Sequence, residues 1–320
     1  MPFSNVSHNQ VDIAAYRDFV ETFSDDLLTR GFLRGRTLEL ATFHPGIQGK
    51  EVLTQLRLQQ FGRRYSEDFA PVADTVKFTP LTLEVVPAKF EQRFVPQRFM
   101  KTYLGRKLKN FNDADMIPFE GHVMSELMDL QAVEICESLW QAVNVTPALD
   151  THNLKQIHDG YLKRITTALA ASSPVLTPTA VSGGAWTKAN IIDTLETMWM
   201  RLDESVKRKP VSVFMKPNLV MLYQQAYRDL YGKYTDNTQA GRVKLDFGTE
   251  AYLEAMPEMG ATNRVVMTAT SNLHYGYDGV VGDGFNIEKN KRAIDYWYDF
   301  QLGCNFGYLE DGAVAVSDLT

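Results

Sequence analysis

Residues 210–234 read "PVSVFMKPNLVMLYQQAYRDLYGKY", and two different periodicities meet inside this stretch. Apolar residues occupy every second position from Val211 to Met215, a pattern that predicts a strand with one buried face. The apolar residues that follow recur as on one side of a helix, at Leu219, Leu222, Tyr223, Ala226 and Leu230. Asn218 is expected to be the N-cap of this helix and Gly232 its end. The stretch is therefore predicted to fold as a strand, a sharp corner and a helix.

The corner "KPN", residues 216–218, does not have the composition of a phosphate site or a nucleophile site. A phosphate cradle needs several glycines whose backbone N–H groups converge on the anion, and a nucleophile elbow needs a Ser or Cys between small residues. Pro217 even removes a backbone donor. Lys216 could bind a ligand, but a solvated lysine beside a structural turn is the commoner arrangement. The corner is therefore predicted to be a structural joint.

The composition is that of an ordinary globular protein. The chain has 320 residues, of which 44% are hydrophobic and 22% charged, and its length is consistent with one to three domains. It contains no apolar run long enough to span a membrane, and its first residues, "MPFSNVSHNQ", lack the basic start and apolar core of a secretory signal. Cys136 and Cys304 are too few for a disulfide framework, so they are expected to be buried free thiols in a reducing cytoplasm.

The net charge of −6 is distributed unevenly along the chain. Residues 1–110 carry 16 Lys and Arg against 12 Asp and Glu, whereas residues 111–320 carry 17 against 27. An acidic excess argues against a general nucleic-acid binder, because nucleic acids are polyanions. The asymmetry is compatible with attraction between the N-terminal part of one copy and the C-terminal part of another. Charges scattered over unrelated solvent-facing surfaces would explain it equally well.

An extended region begins near "HPGIQGKEVLTQL" and is clearest in residues 75–95, "TVKFTPLTLEVVPAKFEQRFV". Pro80 and Pro87 interrupt it, and proline cannot donate a backbone hydrogen bond to a neighbouring strand. The strands are therefore predicted to be edge strands or a two-stranded ribbon. Because a lone ribbon is only marginally stable in water, this one needs another surface to lie on, which a second copy of the chain would supply.

The remaining periodicities predict a mixture of helices and short strands. Helices are expected at about residues 11–30, 117–143, 154–169 and 188–206. The second of these is long, with one packed face formed by Met124, Leu127, Met128, Gln131, Ile135, Leu139 and Ala142 and a solvated acidic side. Strands are expected within residues 241–248, 249–256, 263–273 and 294–300. Asp311 and Gly312 predict a tight hairpin turn between two strands. The "SGG" sequence precedes the helix expected at residues 188–206 and is either an anion site or an ordinary start of that helix.

No residue pattern predicts a catalytic, cofactor-binding or metal site. The histidines do not have the spacing of zinc ligands; they are His8, His44, His122, His152, His158 and His274. The glycines of "GVVGDGF", residues 279–285, do not match a dinucleotide-binding pattern and precede an extended stretch. The sequence also lacks G-x-S-x-G, a Walker lysine and a Cys-His signature. We therefore predict no site residues and no cofactor.

The order of the elements resembles that of a known family. An N-terminal arm is followed by the ribbon, the long helix with "EGHVMSELMDLQAVEICESLW", the stretch at residues 210–234 and the closing "YWYDFQLGCNFGYLEDGAVAVSD". This order resembles the major capsid proteins of tailed double-stranded DNA bacteriophages, which have the Hong Kong phage (HK-ninety-seven type) fold, a fold shared with encapsulin shells. The resemblance covers about residues 35–317. It rests on element order, on "V-F-M-x-P…Y…L…G-x-Y" and on the terminal "D-G-A-V-A" turn.

The resemblance implies an α+β chain with four regions. Residues 1–47 would be an N-terminal arm, and residues 48–104 an extended loop formed by the β-ribbon. A peripheral domain with a spine helix and the C-terminal strands would comprise residues 105–149 and 286–320. Residues 150–285 would form an axial domain, of which the stretch at residues 210–234 would be a joint.

The same resemblance implies a structural protein rather than an enzyme. Copies would assemble through pentamers and hexamers into an icosahedral shell that encloses double-stranded DNA, contacted non-specifically on the inner face. The other expected partners are a separate scaffolding protein, a portal and decoration proteins. No contact with a membrane is expected. The shell would be the capsid of a virion, assembled in the cytoplasm of a bacterial host. Some relatives crosslink a Lys to an Asn between subunits; Lys77 or Lys89 could take that role, although solvated lysines are the simpler interpretation.

Two alternative functions remain open from the sequence. One is an encapsulin-like bacterial compartment, which shares the fold but packages protein. The other is an uncharacterised α+β enzyme with its site near "HYGYDGVVGDGF", in which His274, Asp278 and Asp283 would carry the chemistry.

Overall fold

The structure is a computed structural model. It describes residues 35–47, 49–58, 64, 76–95, 119–146, 153–171, 175–232, 238–239, 241–248, 250–278, 286–290 and 293–320. The helix predicted at residues 11–30 and the glycine-rich loop at residues 279–285 lie outside the described residues, as do His8, His152 and Asp283.

The described chain mixes helices with strands that form three sheets. The helices are α1 (Arg36–Leu40), α2 (Phe119–Gln141), α3 (Tyr161–Leu169), α4 (Ile191–Arg201), α5 (Glu204–Lys207) and α6 (Pro217–Tyr231). The strands are β1 (Thr42–Pro45), β2 (Lys50–Leu58), β3 (Val76–Glu84), β4 (Val86–Phe94), β5 (Val211–Met215), β6 (Thr238–Gln239), β7 (Arg242–Lys244), β8 (Ala251–Ala255), β9 (Val266–Ala269), β10 (Leu273–Asp278), β11 (Asn286–Asn290), β12 (Ala293–Phe306) and β13 (Val314–Val316). The sheets have six, five and two strands. The α+β class is as predicted.

The strand, corner and helix predicted at residues 210–234 are β5 and α6. Helix α6 begins two residues earlier than expected, because Lys216 and not Asn218 has the extended backbone of the N-cap, and Pro217 is the first helical residue. Gly232 ends the helix as predicted, with a φ of 111°. Leu230 was assigned to the packed face but is 64% exposed, as the whole last turn of the helix is exposed.

Strand β5 is buried on both faces, not on one as the alternation predicted. It lies inside the six-stranded sheet, whose order is β13-β9-β5-β8-β7-β6, and all its residues are buried. Val213 belongs to the hydrophobic cluster formed with α4 and α6. Phe214 points to the opposite face, where its ring lies 5.4 Å from that of Trp140 in α2. Helices therefore cover both sides of this sheet, which a single strand's sequence does not reveal.

Helix α2 has the single packed face that was predicted. Met128, Ile135 and Leu139 are buried, and Trp140 is buried with them at the end of the helix. The indole N–H of Trp140 donates a hydrogen bond to the hydroxyl of Thr37 in α1 at 2.8 Å. The first described segment of the chain is thereby fixed to the long helix.

Two of the other predicted helices are interrupted. The helix expected at residues 154–169 is a 3₁₀ turn followed by α3, with Gly160 between them. A Cβ at Gly160 would lie 2.8 Å from the carbonyl oxygen of Leu139, so the chain passes too close to α2 for a helix side chain at that point. The helix expected at residues 188–206 is divided into α4 and α5. Between them, the backbone N–H of Asp203 donates a hydrogen bond to the carbonyl oxygen of Gly312 at 2.9 Å. The "SGG" sequence is a separate 3₁₀ turn and does not form the N-terminus of α4.

The five-stranded sheet is built on β12. Strand β4 pairs antiparallel along one side of it, while β10 and β11 pair along the other side, and β1 pairs parallel with β10. The predicted alternation from Ile294 to Phe300 is confirmed, since every second side chain is buried. Pro87 lies in β4 opposite Gln301, and β4 is an edge strand, as proline requires.

The strand pairing departs from the predicted regions in three places. Strand β4 belongs to the five-stranded sheet and not to the ribbon, because it pairs with β12 over its whole length. Strand β10, expected in the axial domain, joins the same sheet, because it also pairs with β12. Strand β13, expected to return to the peripheral sheet, pairs with β9 in the six-stranded sheet. The turn at Gly312 therefore connects strands of different sheets and is not the hairpin predicted there.

Candidate assembly surfaces

The ribbon predicted from the prolines is formed by β2 and β3. They pair antiparallel from Lys50 opposite Glu84 to Leu58 opposite Val76, and within the described residues neither strand joins a larger sheet. At its base, Ile47, Leu83 and Val85 form a small buried cluster of their own. Within the described chain the ribbon thus has a fixed base and two strands that pair only with each other.

A pair of glycines makes room for the base of the ribbon on the five-stranded sheet. Gly276 in β10 and Gly303 in β12 are opposite each other in the strand register. A Cβ at Gly303 would overlap the carbonyl oxygen of Glu84 and lie 3.0 Å from the Cα of Val85. A Cβ at Gly276 would lie 2.8 Å from a methyl of Val85. The backbone of the ribbon therefore lies directly on the backbone of the sheet, which only glycine permits.

Hydrogen bonds hold the ribbon base in this position. The amide of Asn305 donates to the carbonyl oxygen of Thr82 at 2.9 Å, and the N–H of Val85 donates to the carbonyl oxygen of Gly49 at 2.8 Å. Because β12 supplies both Asn305 and Gly303, one strand of the core sheet sets the direction in which the ribbon leaves the molecule.

The segment before the ribbon is held by a buried ion-pair cluster. Glu254 in β8 is 2% exposed and accepts hydrogen bonds from two arginines. Arg36 of α1 donates from Nη2 at 2.8 Å and from Nε at 3.2 Å, and Arg242 of β7 donates to the other carboxylate oxygen. The ring of Tyr252 lies under the Arg242 guanidinium, 4.4 Å from it. Glu254 therefore joins α1 to the six-stranded sheet.

Large apolar side chains are exposed on the outer faces of three helices. Leu130 and Val133 are one turn apart on α2, and they are 56% and 50% exposed. Met200 on α4 and Met221 on α6 are 74% and 55% exposed. Single exposed apolar residues are common on monomers, whereas larger contiguous apolar patches mark contact surfaces, so the pair on α2 is compatible with an interface.

The residues weighed for enzyme chemistry do not form a reactive centre among the described residues. His274 lies beside His44, with 2.9 Å between Nδ1 and Nε2. Burial and the neighbouring His44 lower the pKa of His274 to about 4. Asp278 is buried, and within the described part of the chain no group of three His, Cys, Asp or Glu side chains could hold a metal ion.

The other candidate side chains have structural surroundings. Lys216 donates to the side chain of Asn263, and Lys89 lies 3.1 Å from Glu91 on the same strand. Cys136 and Cys304 are buried free thiols, as predicted, and burial raises the pKa of each to about 12. Thiols with such pKa values are unreactive at neutral pH. Among the helices that the structure describes, none is both long and apolar enough to cross a membrane.

His158 is a buried titratable group between α2 and α3. It is 3% exposed, its Nε2 lies 3.5 Å from the hydroxyl of Ser138, and its Nδ1 has no hydrogen-bond partner among the described residues. Burial, with a further contribution from Arg164, lowers the pKa of His158 to about 4. The side chain is therefore neutral in the folded chain at physiological pH.

We expect acid to destabilise the fold through His158. The His158 side chain binds a proton near pH 6.5 in the unfolded chain but only near pH 4 in the folded chain. The stability that comes from neutral His158 is therefore fully present above pH 6.5 and is lost as pH falls to 4. Between pH 7 and pH 5 the loss is about 2 kcal/mol. Urea unfolding at both pH values measures it. His158→Gln should remove this part of the pH dependence, and an unchanged difference between pH 7 and pH 5 in the variant would contradict the prediction.

Comparisons with known proteins identify the fold through structure and not through sequence. The sequence matches no known protein family, and a search of curated proteins finds no relative. Similar solved structures exist. A chain of the satellite phage P4 procapsid including size determination (Sid) protein has a TM-score of 0.57 at 12% identity, over 93% of this chain and 98% of that one.

Two further structures give similar values. A chain of Gordonia phage Cozz has a TM-score of 0.52 at 12% identity, over 88% of this chain and 85% of that one. A chain of Microbacterium phage Oxtober96 has a TM-score of 0.50 at 12% identity, over 88% of this chain and 90% of that one. Together with the ribbon, the long helix α2 and the two sheets, these matches show that the chain has the Hong Kong phage (HK-ninety-seven type) capsid fold.

Proposed function

We propose that this chain is a major capsid protein that assembles through pentamers and hexamers into an icosahedral shell around double-stranded DNA. The observation that carries this proposal is the ribbon of β2 and β3. Its base is fixed by Gly303, Asn305 and the cluster around Leu83, yet its strands pair only with each other in the described chain. A two-stranded ribbon is marginally stable in water, so its natural support is the surface of a neighbouring copy.

The charge distribution and the exposed apolar residues support the same proposal. The excess of basic residues before residue 110 and of acidic residues after it is compatible with contact between different parts of neighbouring copies. Rings built from such head-to-tail contacts need no self-complementary surface. Leu130 and Val133 supply apolar area on α2 of the kind that permanent assemblies bury.

The remaining parts of the proposal follow from a capsid role. The shell would be the capsid of a virion, assembled in the cytoplasm of a bacterial host. A separate scaffolding protein, a portal and decoration proteins would be its partners, and DNA would contact the inner face without sequence specificity. The chain would perform no catalysis, and no metal or cofactor would take part in assembly.

Electron microscopy and light scattering of the purified chain test the proposal, alone and after coexpression with neighbouring genes of its source. We expect closed shells that protect DNA from nuclease when the packaging genes are present. A variant in which a short turn replaces the ribbon between Glu51 and Thr82 should stay folded but form no shells, because the buried base at Leu83 remains.

Other outcomes would overturn the proposal. A strictly monomeric intact chain under every condition would exclude a shell subunit. Shells that enclose protein and exclude DNA would favour the encapsulin-like compartment. A ligand-induced melting shift that is lost on Ala substitution of His274, Asp278 and Asp283, with assembly left intact, would favour the enzyme.

A further inference from the structure

His44 and His274 form a hydrogen-bonded pair across two neighbouring strands. Nε2 of His44 in β1 lies 2.9 Å from Nδ1 of His274 in β10, and the centroids of the rings are 5.1 Å apart. Either nitrogen can be the donor, depending on the tautomers, but the other has to accept. Two neutral rings meet this condition, and so does a pair that has bound one proton. A pair with both rings charged does not, because neither facing nitrogen then has a lone pair.

Strand β1 is a short strand at the edge of the five-stranded sheet. It is four residues long and, in the described chain, pairs only with β10. Thr42, Phe43 and Pro45 are exposed. The ring of Phe43 stacks on that of Tyr275 at 5.3 Å, on the face of the sheet opposite to the histidines. The histidine pair therefore contributes a large share of the side-chain contact that holds β1 on β10.

Strand β1 leads directly into the ribbon. Gly46 and Gly49 follow it with left-handed φ values of 70° and 81°, and a Cβ at either position would have open space around it. Between them, Ile47 enters the buried cluster at the base of the ribbon. Because glycine permits more backbone conformations than other residues, this connection can turn if β1 leaves the sheet. The attachment of β1 therefore controls how firmly the first strand of the ribbon is held.

The groups that face the histidine pair on neighbouring elements are neutral. His274 lies opposite Asn305 of β12 in the strand register. The hydroxyl of Tyr161 in α3 donates to the carbonyl oxygen of His274 at 2.9 Å and so contacts its backbone, not its ring. A Cβ at Gly307 would lie 2.8 Å from Nε2 of His274 and 2.8 Å from the side-chain oxygen of Asn272. These neighbours supply no charge to the pair.

The acidic residues of the adjoining strands are paired or lie farther along the chain. Glu84 at the base of the ribbon forms an ion pair with Lys50 at 3.1 Å. Asp278 is four residues beyond His274 in β10. Burial, and after it the neighbouring His44, lowers the pKa of His274 to about 4, and no carboxylate of the described residues offsets these two causes. A second proton on the pair is therefore uncompensated.

We propose that His44 and His274 form an acid-sensitive latch, which holds β1 on the core sheet at neutral pH and releases it when both rings are charged. Two like charges at this separation repel each other, and the hydrogen bond between them is lost. After release each ring is solvated and binds its proton near pH 6.5. The docked state is therefore fully favoured above about pH 6.5 and loses stability as pH falls towards 4. The latch belongs to the single chain and does not depend on the proposed function.

Hydrogen exchange of the intact, unassembled chain tests the latch, with wild type compared with His44→Gln at pH 7 and at pH 4.5. The amide of glutamine donates to a neutral His274 ring and accepts from a charged one, so the variant keeps the contact at both pH values. At pH 4.5 we expect residues 42–44 to exchange about tenfold faster in wild type than in the variant, and at pH 7 equally fast. Equal exchange at both pH values would overturn the proposal.

Internal controls separate release of β1 from unfolding. Residues 294–302 of β12, which pair with β4, should stay protected in both chains at pH 4.5. Rapid exchange there as well as at β1 in wild type would mean that acid unfolds the sheet as a whole, which would contradict a local latch. A second comparison in which both chains carry His158→Gln should give the same ratio at residues 42–44, because His158 belongs to a different contact.

Two further variants test the direction of the effect. His44→Phe preserves a ring but offers no hydrogen bond, so residues 42–44 should exchange faster than in wild type already at pH 7. His274→Gln should protect β1 in acid as His44→Gln does, because either change leaves one partner neutral. Acid release that persists in both glutamine variants would place the acid-sensitive group elsewhere and would overturn the proposal.

The titration of the His274 ring, followed by NMR, gives a readout that a purely structural contact would not change. In His44→Gln the pKa of His274 should rise above its value of about 4, because the neighbouring charge is absent. It should stay below 6.5, since burial is the larger cause of the shift and remains. An unchanged pKa would show that His44 does not oppose the second proton, and the latch would then be rejected.

Discussion

Replacement of Gly303 by alanine is expected to lower the free energy of unfolding by about 3 kcal/mol and to detach the base of the ribbon. The new Cβ would overlap the carbonyl oxygen of Glu84 and lie 2.9 Å from its carbonyl carbon. These atoms belong to the backbone, so no change of side-chain rotamer can relieve the overlap. Either β12 or the end of β3 has to move, and the hydrogen bond from Asn305 to Thr82 is lost with it.

Urea unfolding measures the stability of the Gly303→Ala variant, and hydrogen exchange at Thr82 and Val85 reports the detachment. Gly276→Ala is the matched control, because its Cβ would meet the methyl tips of Val85 and Ile47 at 2.8 and 3.0 Å, which can shift. We expect a loss of about 1 kcal/mol there. Val85→Ala should partly rescue Gly276→Ala but leave the effect of Gly303→Ala unchanged. Equal losses for the two glycine variants would contradict the backbone contact.

Local periodicity predicted the elements that need few distant partners. The alternation from Ile294 to Phe300 appears where the pattern places it, and helix α6 ends where the pattern places its end, although it begins two residues earlier. The sheet to which a strand belongs was not predictable in the same way. Strands β10 and β13 are buried on both sides or nearly so, and partners in either sheet can provide that burial, so their own residues do not distinguish pairing with β12 from pairing with β9.

The ribbon was predicted from its prolines, but the place where it rests was not. Gly276 and Gly303 were a usable signal, because a glycine inside an apolar strand often marks the close approach of another backbone.

The cluster around Glu254 was also invisible in the sequence, because Arg36 and Glu254 are 218 residues apart. We expect Glu254→Gln to lower the free energy of unfolding by about 2 kcal/mol. The neutral amide occupies nearly the same volume, so packing is preserved while Arg36 and Arg242 lose the negative charge between them. The loss stays below that of a fully buried pair, because the side chains of the two arginines are 38% and 34% exposed and Arg36 keeps its ion pair with Glu39 at 2.7 Å. Hydrogen exchange at Thr37 and Leu38 should rise with the loss of stability, since Arg36 no longer fixes α1 to β8.

The exposed pair of Lys188 and Asp229 provides the comparison for Glu254. Asp229→Asn removes a carboxylate at a similar distance, 2.9 Å, but both side chains are solvated, so the expected loss is below about 0.5 kcal/mol. Arg36→Gln should lie between the two, because Glu254 keeps Arg242. In the Arg36→Gln and Glu254→Gln double variant the losses should be less than additive, since both changes remove the same contact. Strictly additive losses, or equal losses for Glu254→Gln and Asp229→Asn, would mean that the cluster does not hold α1 against the six-stranded sheet.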